Sequence, residues 1–250
     1  MQRLPHLGLR GASIMLLLLA GAPLAAQNID TGTPPPNASW PKFTFGRPLS
    51  GTQFSSLGQS FTVAPGPATQ LTDFTFWVGQ ITGFENIGYR AYIFPWNEAT
   101  RTIASDFVFR SAIQVGTTSP GPLALAFSTG GLDLVSGQSY IAVLSSAESP
   151  GTPAGSFGGV YVSTGGVTGT YPGGTAYIQI SLFEQGLAGL RADAWSFAGG
   201  VTTGQDLAFR ATFVAGTLPP VTPVPEPTTI ALFGTGLLGV AFVARRRRAG

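Results

Sequence analysis

The sequence predicts an all-β protein whose central part, residues 27–215, is an antiparallel β-sandwich of jelly-roll type. Three observations lead there. Apolar residues alternate along short runs, most clearly Leu207, Phe209, Ala211 and Phe213 set against Ala208, Arg210 and Thr212. That period of two buries one set and leaves the other wet. Turn-forming clusters separate the runs at Pro65-Gly66-Pro67, Ser119-Pro120-Gly121-Pro122, Gly130-Gly131, Pro150-Gly151-Thr152-Pro153 and Tyr171-Pro172-Gly173-Gly174. With 35 Gly and 20 Pro the chain is turn-rich, yet 44 % of it is hydrophobic, which is enough to fold. No convincing amphipathic helix interrupts 27–215.

In chain order, residues 1–26 read as a secretory signal peptide. Arg3 and Arg10 give a positive start, Ile14 to Ala20 an apolar centre, and Ala22-Pro23-Leu24-Ala25-Ala26 small residues for cleavage before Gln27. The strand candidates follow: Gln59–Val63, Phe74–Val78, Tyr89–Phe94, Asp106–Arg110, Leu123–Phe127, Ser139–Leu144, Gly159–Val162, Ala176–Leu182 and the alternating run from Leu207 to Phe213. Residues 216–227 form a linker in which Pro219, Pro220, Pro223, Pro225 and Pro227 favour an extended chain. The uncharged run Thr228–Ala244 would span roughly 25 Å as a helix, near the lower limit for crossing a bilayer. Four arginines, Arg245, Arg246, Arg247 and Arg248, begin the tail 245–250 and act as a stop that stays on the cytoplasmic side.

Composition excludes several chemistries. The chain has no cysteine and one histidine, His6, inside the signal segment. The remainder therefore lacks Ser-His-Asp and Cys-His nucleophile systems and the usual His/Cys metal sites, and neither a metal nor a cofactor is expected. Although the whole chain carries a net charge of +2, its basic excess lies in the two terminal segments. Between 27 and 219, Lys42, Arg47, Arg90, Arg101, Arg110, Arg191 and Arg210 face a larger set of acids, so nucleic acid is not an expected partner.

No catalytic residue is assigned. The strongest binding candidate is Trp96-Asn97-Glu98, because an indole stacks on a pyranose while amide and carboxylate groups bond its hydroxyls; Trp195 is the second. Packing of both indoles in the core is the competing reading. The enzymatic alternative is a polysaccharide-processing enzyme using two carboxylates from among Glu85, Glu98, Asp106, Glu148 and Glu184. A purely structural coat component is the third.

Val224-Pro225-Glu226-Pro227, then an apolar run containing Gly234, Gly236 and Gly239, then Arg245–Arg248, resembles the PEP-CTERM sorting signal of Gram-negative bacteria. The resemblance implies an exosortase as partner, a membrane-embedded protease that would cut near Pro225-Glu226-Pro227. It implies an inner-membrane-anchored intermediate followed by delivery to the cell surface or extracellular matrix, where exopolysaccharide or biofilm matrix is the expected partner. Gly58-Gln59-Ser60-Phe61, Gly137-Gln138-Ser139-Tyr140 and Asp206-Leu207-Ala208-Phe209-Arg210 are loosely similar to exported bacterial sandwich domains that resemble carbohydrate-binding modules.

Overall fold

Strands with one apolar face need a second layer to cover it, and two layers here cover each other. The computed structural model describes residues 27–35, 42–47, 53–67, 69–80, 84–117, 119, 121–149, 151–153, 155–163, 171–182, 186–192, 194–197 and 205–216. The signal peptide 1–26, the linker from 217 onward, the run 228–244 and the tail 245–250 lie outside the described residues.

The strands are β1 (Asn28–Asp30), β2 (Lys42–Arg47), β3 (Gln53–Thr62), β4 (Gln70–Gln80), β5 (Gly88–Asn97), β6 (Thr102–Ile103), β7 (Phe109–Arg110), β8 (Gln114–Val115), β9 (Leu123–Asp133), β10 (Ser139–Ser145), β11 (Ser156–Ser163), β12 (Ala176–Leu182), β13 (Ser196–Phe197), β14 (Asp206–Leu207) and β15 (Phe209–Val214). A helix, α1 (Gly186–Ala192), follows β12, and a 3-10 turn spans Phe84–Asn86. The expected strands are present, most of them longer than the sequence suggests, except that Asp106–Arg110 contributes only β7 and the run Leu207–Phe213 is split at Ala208 into β14, which pairs with β11, and β15, which pairs with β4.

All pairings among the described residues are antiparallel. One layer holds β9, β4, β15 and β1, with β11 and β2 continuing it. The other holds β12, β3, β10 and β5, with β6, β7 and β8 along the far side of β5. They join at the bridge Gly46↔Ser55, where Gly46 has a φ of 131°, a value that only glycine adopts readily. Aromatic rings close the space between layers. Phe61 of β3 lies 6.2 Å from Phe209 and 6.1 Å from Phe213 of β15, and Phe74 of β4 lies 5.6 Å from Phe109 of β7.

Two expectations are corrected. Gly130-Gly131 does not separate strands: both glycines lie inside β9 with φ of 70° and 88°, beside the register shift between Leu71 and Asp73 of β4, so they form a bulge. The domain also contains a helix, α1, whose Leu187 and Leu190 sit one turn apart and pack on the second layer. Seven residues are too few for a helical period to stand out.

The Gly58-Gln59-Ser60-Phe61 and Asp206-Leu207 stretches form one buried clasp. The Gln59 amide donates to Asp206 Oδ1 at 2.8 Å, Gln59 Oε1 accepts from Leu207 N at 2.9 Å, and Asp206 Oδ2 accepts from Tyr171 N at 2.6 Å. Burial raises the Asp206 carboxyl above its ordinary range, against the lowering effect of the Tyr171 and Gln59 donors. The folded chain therefore holds this proton more tightly than the unfolded chain. Sensitivity to pH follows: the Asp206 contribution to stability falls as pH rises through the interval between the unfolded and folded values, and grows again on acidification. Urea unfolding between neutral pH and about pH 4 should show this component in the native chain and a flatter profile in Asp206→Asn. An unchanged profile in Asp206→Asn would assign the dependence to other groups.

Candidate functional site

Along β5 and β10 both faces are apolar. Tyr89, Ala91 and Ile93, with Tyr140, Ala142 and Leu144, point into the space between layers. Tyr92, Phe94 and Trp96, with Ile141 and Val143, point outward, where they meet Tyr177, Leu190, Trp195 and Ile103 in a second apolar cluster. That outward face needs a roof, and α1 with the segment from Ala194 to Phe197 supplies it.

The sequence candidates Trp96, Glu98 and Trp195 come together here, with a geometry that differs from the stacking platform expected. Trp96 is 5 % exposed and Trp195 1 %, and their rings meet edge to face at 6.1 Å. Neither presents an open face to a sugar. The physical reason is that two indoles on an apolar sheet face gain more from mutual burial than from exposure. Trp195 Nε1 donates to the Leu190 carbonyl at 3.0 Å, which fastens the roof to α1. Asn97 lies at the surface and caps its turn, its side-chain oxygen accepting from Thr100 N at 3.1 Å.

Glu98 is the member of the group that reaches solvent with its chemistry intact. Its Oε2 accepts from Trp96 Nε1 at 2.6 Å and its Oε1 from the Tyr177 hydroxyl at 2.5 Å. Burial, followed by the hydrogen bond and charge of Glu98, pushes the Tyr177 phenol well above its ordinary pKa, so it remains a donor. The carboxylate is thus oriented by two buried rings while its remaining lone pairs are free to accept. It borders a recess of about 230 Å³ whose other walls are Thr62, Pro172, Gly173 and Gly174. A side chain at 174 would not fit, because its Cβ would fall 1.8 Å from the Ser60 carbonyl oxygen. The turn that carries Glu98 ends at Arg101, which has a φ of 57°, and its guanidinium lies 5.1 Å over the Phe197 ring. Tyr177 was not among the sequence candidates; its place in the regular run Ala176–Leu182 marked it only as strand.

A second braced carboxylate, Glu148, accepts from the Tyr92 hydroxyl at 2.6 Å and pairs with Arg110 at 2.7 Å and Arg90 at 3.6 Å. Its neighbours neutralise it. No group of three or more His, Cys, Asp or Glu side chains able to hold a metal ion occurs among the described residues, nor among them is any helix long and apolar enough to cross a membrane. The sorting residues Val224, Pro225, Glu226 and Pro227 and the stop residues Arg245–Arg248 lie outside the described residues.

No curated protein matches the chain. Among solved structures it is similar to the clostridial cysteine protease Cwp84 after propeptide cleavage, at 14 % identity and a TM-score of 0.43, over 70 % of this chain and 40 % of that one. It is similar also to the cysteine protease and lectin-like domains of Cwp84, a surface layer associated protein of Clostridium difficile, at 12 % identity and a TM-score of 0.42, over 70 % of this chain and 36 % of that one. The chain thus spans well under half the length of either. Residues 223–248 match the PEP-CTERM protein-sorting motif, the segment that Pro225-Glu226-Pro227 and Arg245–Arg248 mark in the sequence. Through that motif the chain is an exported β-sandwich protein, sorted as an exosortase substrate by way of a membrane-anchored intermediate.

Proposed function

We propose that the sandwich domain serves outside the cell as a non-catalytic structural or adhesive component, with exopolysaccharide as its ligand class. The observation that supports this reading is the sorting motif joined to a sandwich that presents an oriented, solvent-facing carboxylate at a recess. Polysaccharide hydroxyls are donors, and Glu98 is an acceptor held in place before a ligand arrives, so little ordering entropy remains to oppose binding. In this reading Trp96 and Trp195 act by bracing Glu98 and its turn, and Asn97 by shaping that turn, rather than by stacking on sugar.

Retention of the purified protein on exopolysaccharide from its own host, compared with unrelated polysaccharides, tests the proposal. Selective retention is expected, and Glu98→Gln should weaken it about tenfold, the scale of a lost hydrogen bond to a charged group. Retention that is absent, or that Glu98→Gln leaves unchanged, would remove this site from the reading. A non-catalytic role also requires that the polysaccharide be recovered uncut.

A further inference from the structure

Most sheet edges among the described residues are blunted. β1 is three residues long and its Asp30 pairs with Arg210 at 2.9 Å. Beside β5 the edge is broken into β6, β7 and β8, each of two residues, and β13 also has two. Strand β9 is different. It runs for 11 residues as LALAFSTGGLD, contains no proline or lysine, and carries a single charge, Asp133, at its far end. It pairs with β4 and, among the described residues, with nothing on its other side.

The direction of its free groups follows from the ladder. Trp77 N donates to the Ala208 carbonyl, so Trp77 of β4 turns its backbone toward β15, and Phe74, Phe76 and Val78 turn theirs toward β9. Their partners Phe127, Leu125 and Leu123 therefore bond to β4. The backbone groups of Ala124, Ala126 and Ser128 point away from it, and the side chains of these three are small and exposed. Natural sheets protect long edges with charge, proline or a bulge, and here the Gly130-Gly131 bulge begins only beyond this open stretch.

We propose that the β9 edge is an assembly surface whose partner is β9 of a second copy of this chain. A two-fold axis at Ala126 sets the strands antiparallel, with Ala126 facing its own equivalent and Ala124 facing Ser128. Each facing pair exchanges two hydrogen bonds, and the sandwich continues across the junction. In such a pair any charge on the strand would confront a like charge or stand in the path of closure; Leu123–Leu132 carries none. Small side chains on the outer face let the backbones approach without a clash.

The chain has no cysteine, so a single introduced thiol reports this geometry in the full chain purified in mild detergent. Facing residues of a hydrogen-bonded pair lie about 5.5 Å apart at Cα, within disulfide reach. Under mild oxidation Ala126→Cys should form covalent dimer about tenfold or more faster than Ile180→Cys, an exposed position on β12. Ala124→Cys and Ser128→Cys should cross-link when mixed and not when alone. The native chain should sediment as a dimer, and Ala126→Lys, with unchanged circular dichroism, as a monomer. A monomeric native chain, a dimer that survives Ala126→Lys, or equal cross-linking at Ala126 and Ile180 would overturn the proposal. These outcomes do not depend on whether the recess beside Glu98 binds glycan.

Discussion

Replacing Glu226 by Ala is expected to leave the protein uncleaved and confined to the membrane fraction, and deletion of Arg245–Arg248 is expected to do the same. Both follow from the sorting motif at residues 223–248. The proline-flanked Glu226 is the one charge in 217–227, ahead of the apolar run. Proline disfavours a helix, a protease cleft takes an extended peptide, and replacing Glu226 removes the only charge that distinguishes this stretch. The arginine deletion is expected to act through translocation: an arginine at the centre of a membrane helix costs roughly 3 kcal/mol on the insertion scale, so four in a row would resist passage across a bilayer. Membrane fractionation with mass measurement of the released chain checks both variants. The native chain should end near Pro225-Glu226-Pro227 after release, and each variant should lose nearly all release. Normal release of either would mean that the sorting machinery reads another part of the chain.

How much of this was legible beforehand depends on what each residue answers to. β15 was plain because one of its faces meets the core and the other meets water, so Phe209, Ala211 and Phe213 alternate visibly with Arg210 and Thr212. Ala176–Leu182, a less marked run, matches β12 in its bounds. The second apolar cluster left a different mark. In Tyr89–Trp96 and Tyr140–Leu144 apolar residues follow one another with little alternation, as happens when a strand is covered on both faces. That mark identifies a covered strand without saying what covers it, and α1 and Trp195 arrive from well beyond both strands in the chain. β2 was missed because Lys42–Arg47 alternates over only six residues among prolines. At the site, the sequence brings Trp96, Asn97, Glu98 and Trp195 forward because an indole beside amide and carboxylate groups can hold a sugar. Exposure was not legible, since an indole that stacks on sugar and an indole that fills a core are the same residue. Tyr177, which holds the other oxygen of Glu98, carried no local signal at all.

Trp195→Ala is expected to cost about 3–5 kcal/mol of folding stability, the range for truncating a large buried aromatic side chain. The ring is 1 % exposed, meets Trp96 edge to face, and is tied by its N–H to Leu190, while its backbone N–H donates to the Arg101 carbonyl at 2.8 Å. It therefore connects three parts of the roof: α1, the Glu98 turn and the β13 segment. Removing it opens a cavity beside Trp96, inside the cluster that also holds Tyr177 and Leu190. Against a typical total of 5–15 kcal/mol, that loss is a large fraction of the fold's stability. Urea unfolding followed by tryptophan fluorescence measures it, with a lower midpoint and little change in slope expected if the native state stays compact. The same variant separates the two roles open to this residue. If Trp195 braces the site, the stability loss should come with weaker retention on polysaccharide, and Trp195→Phe should recover most of both. If the ring instead met sugar directly, truncation would abolish retention while leaving the unfolding free energy within about 0.5 kcal/mol of native, as for a surface substitution. The buried geometry argues against direct contact, because a ring that is nearly inaccessible to water is inaccessible to a pyranose as well.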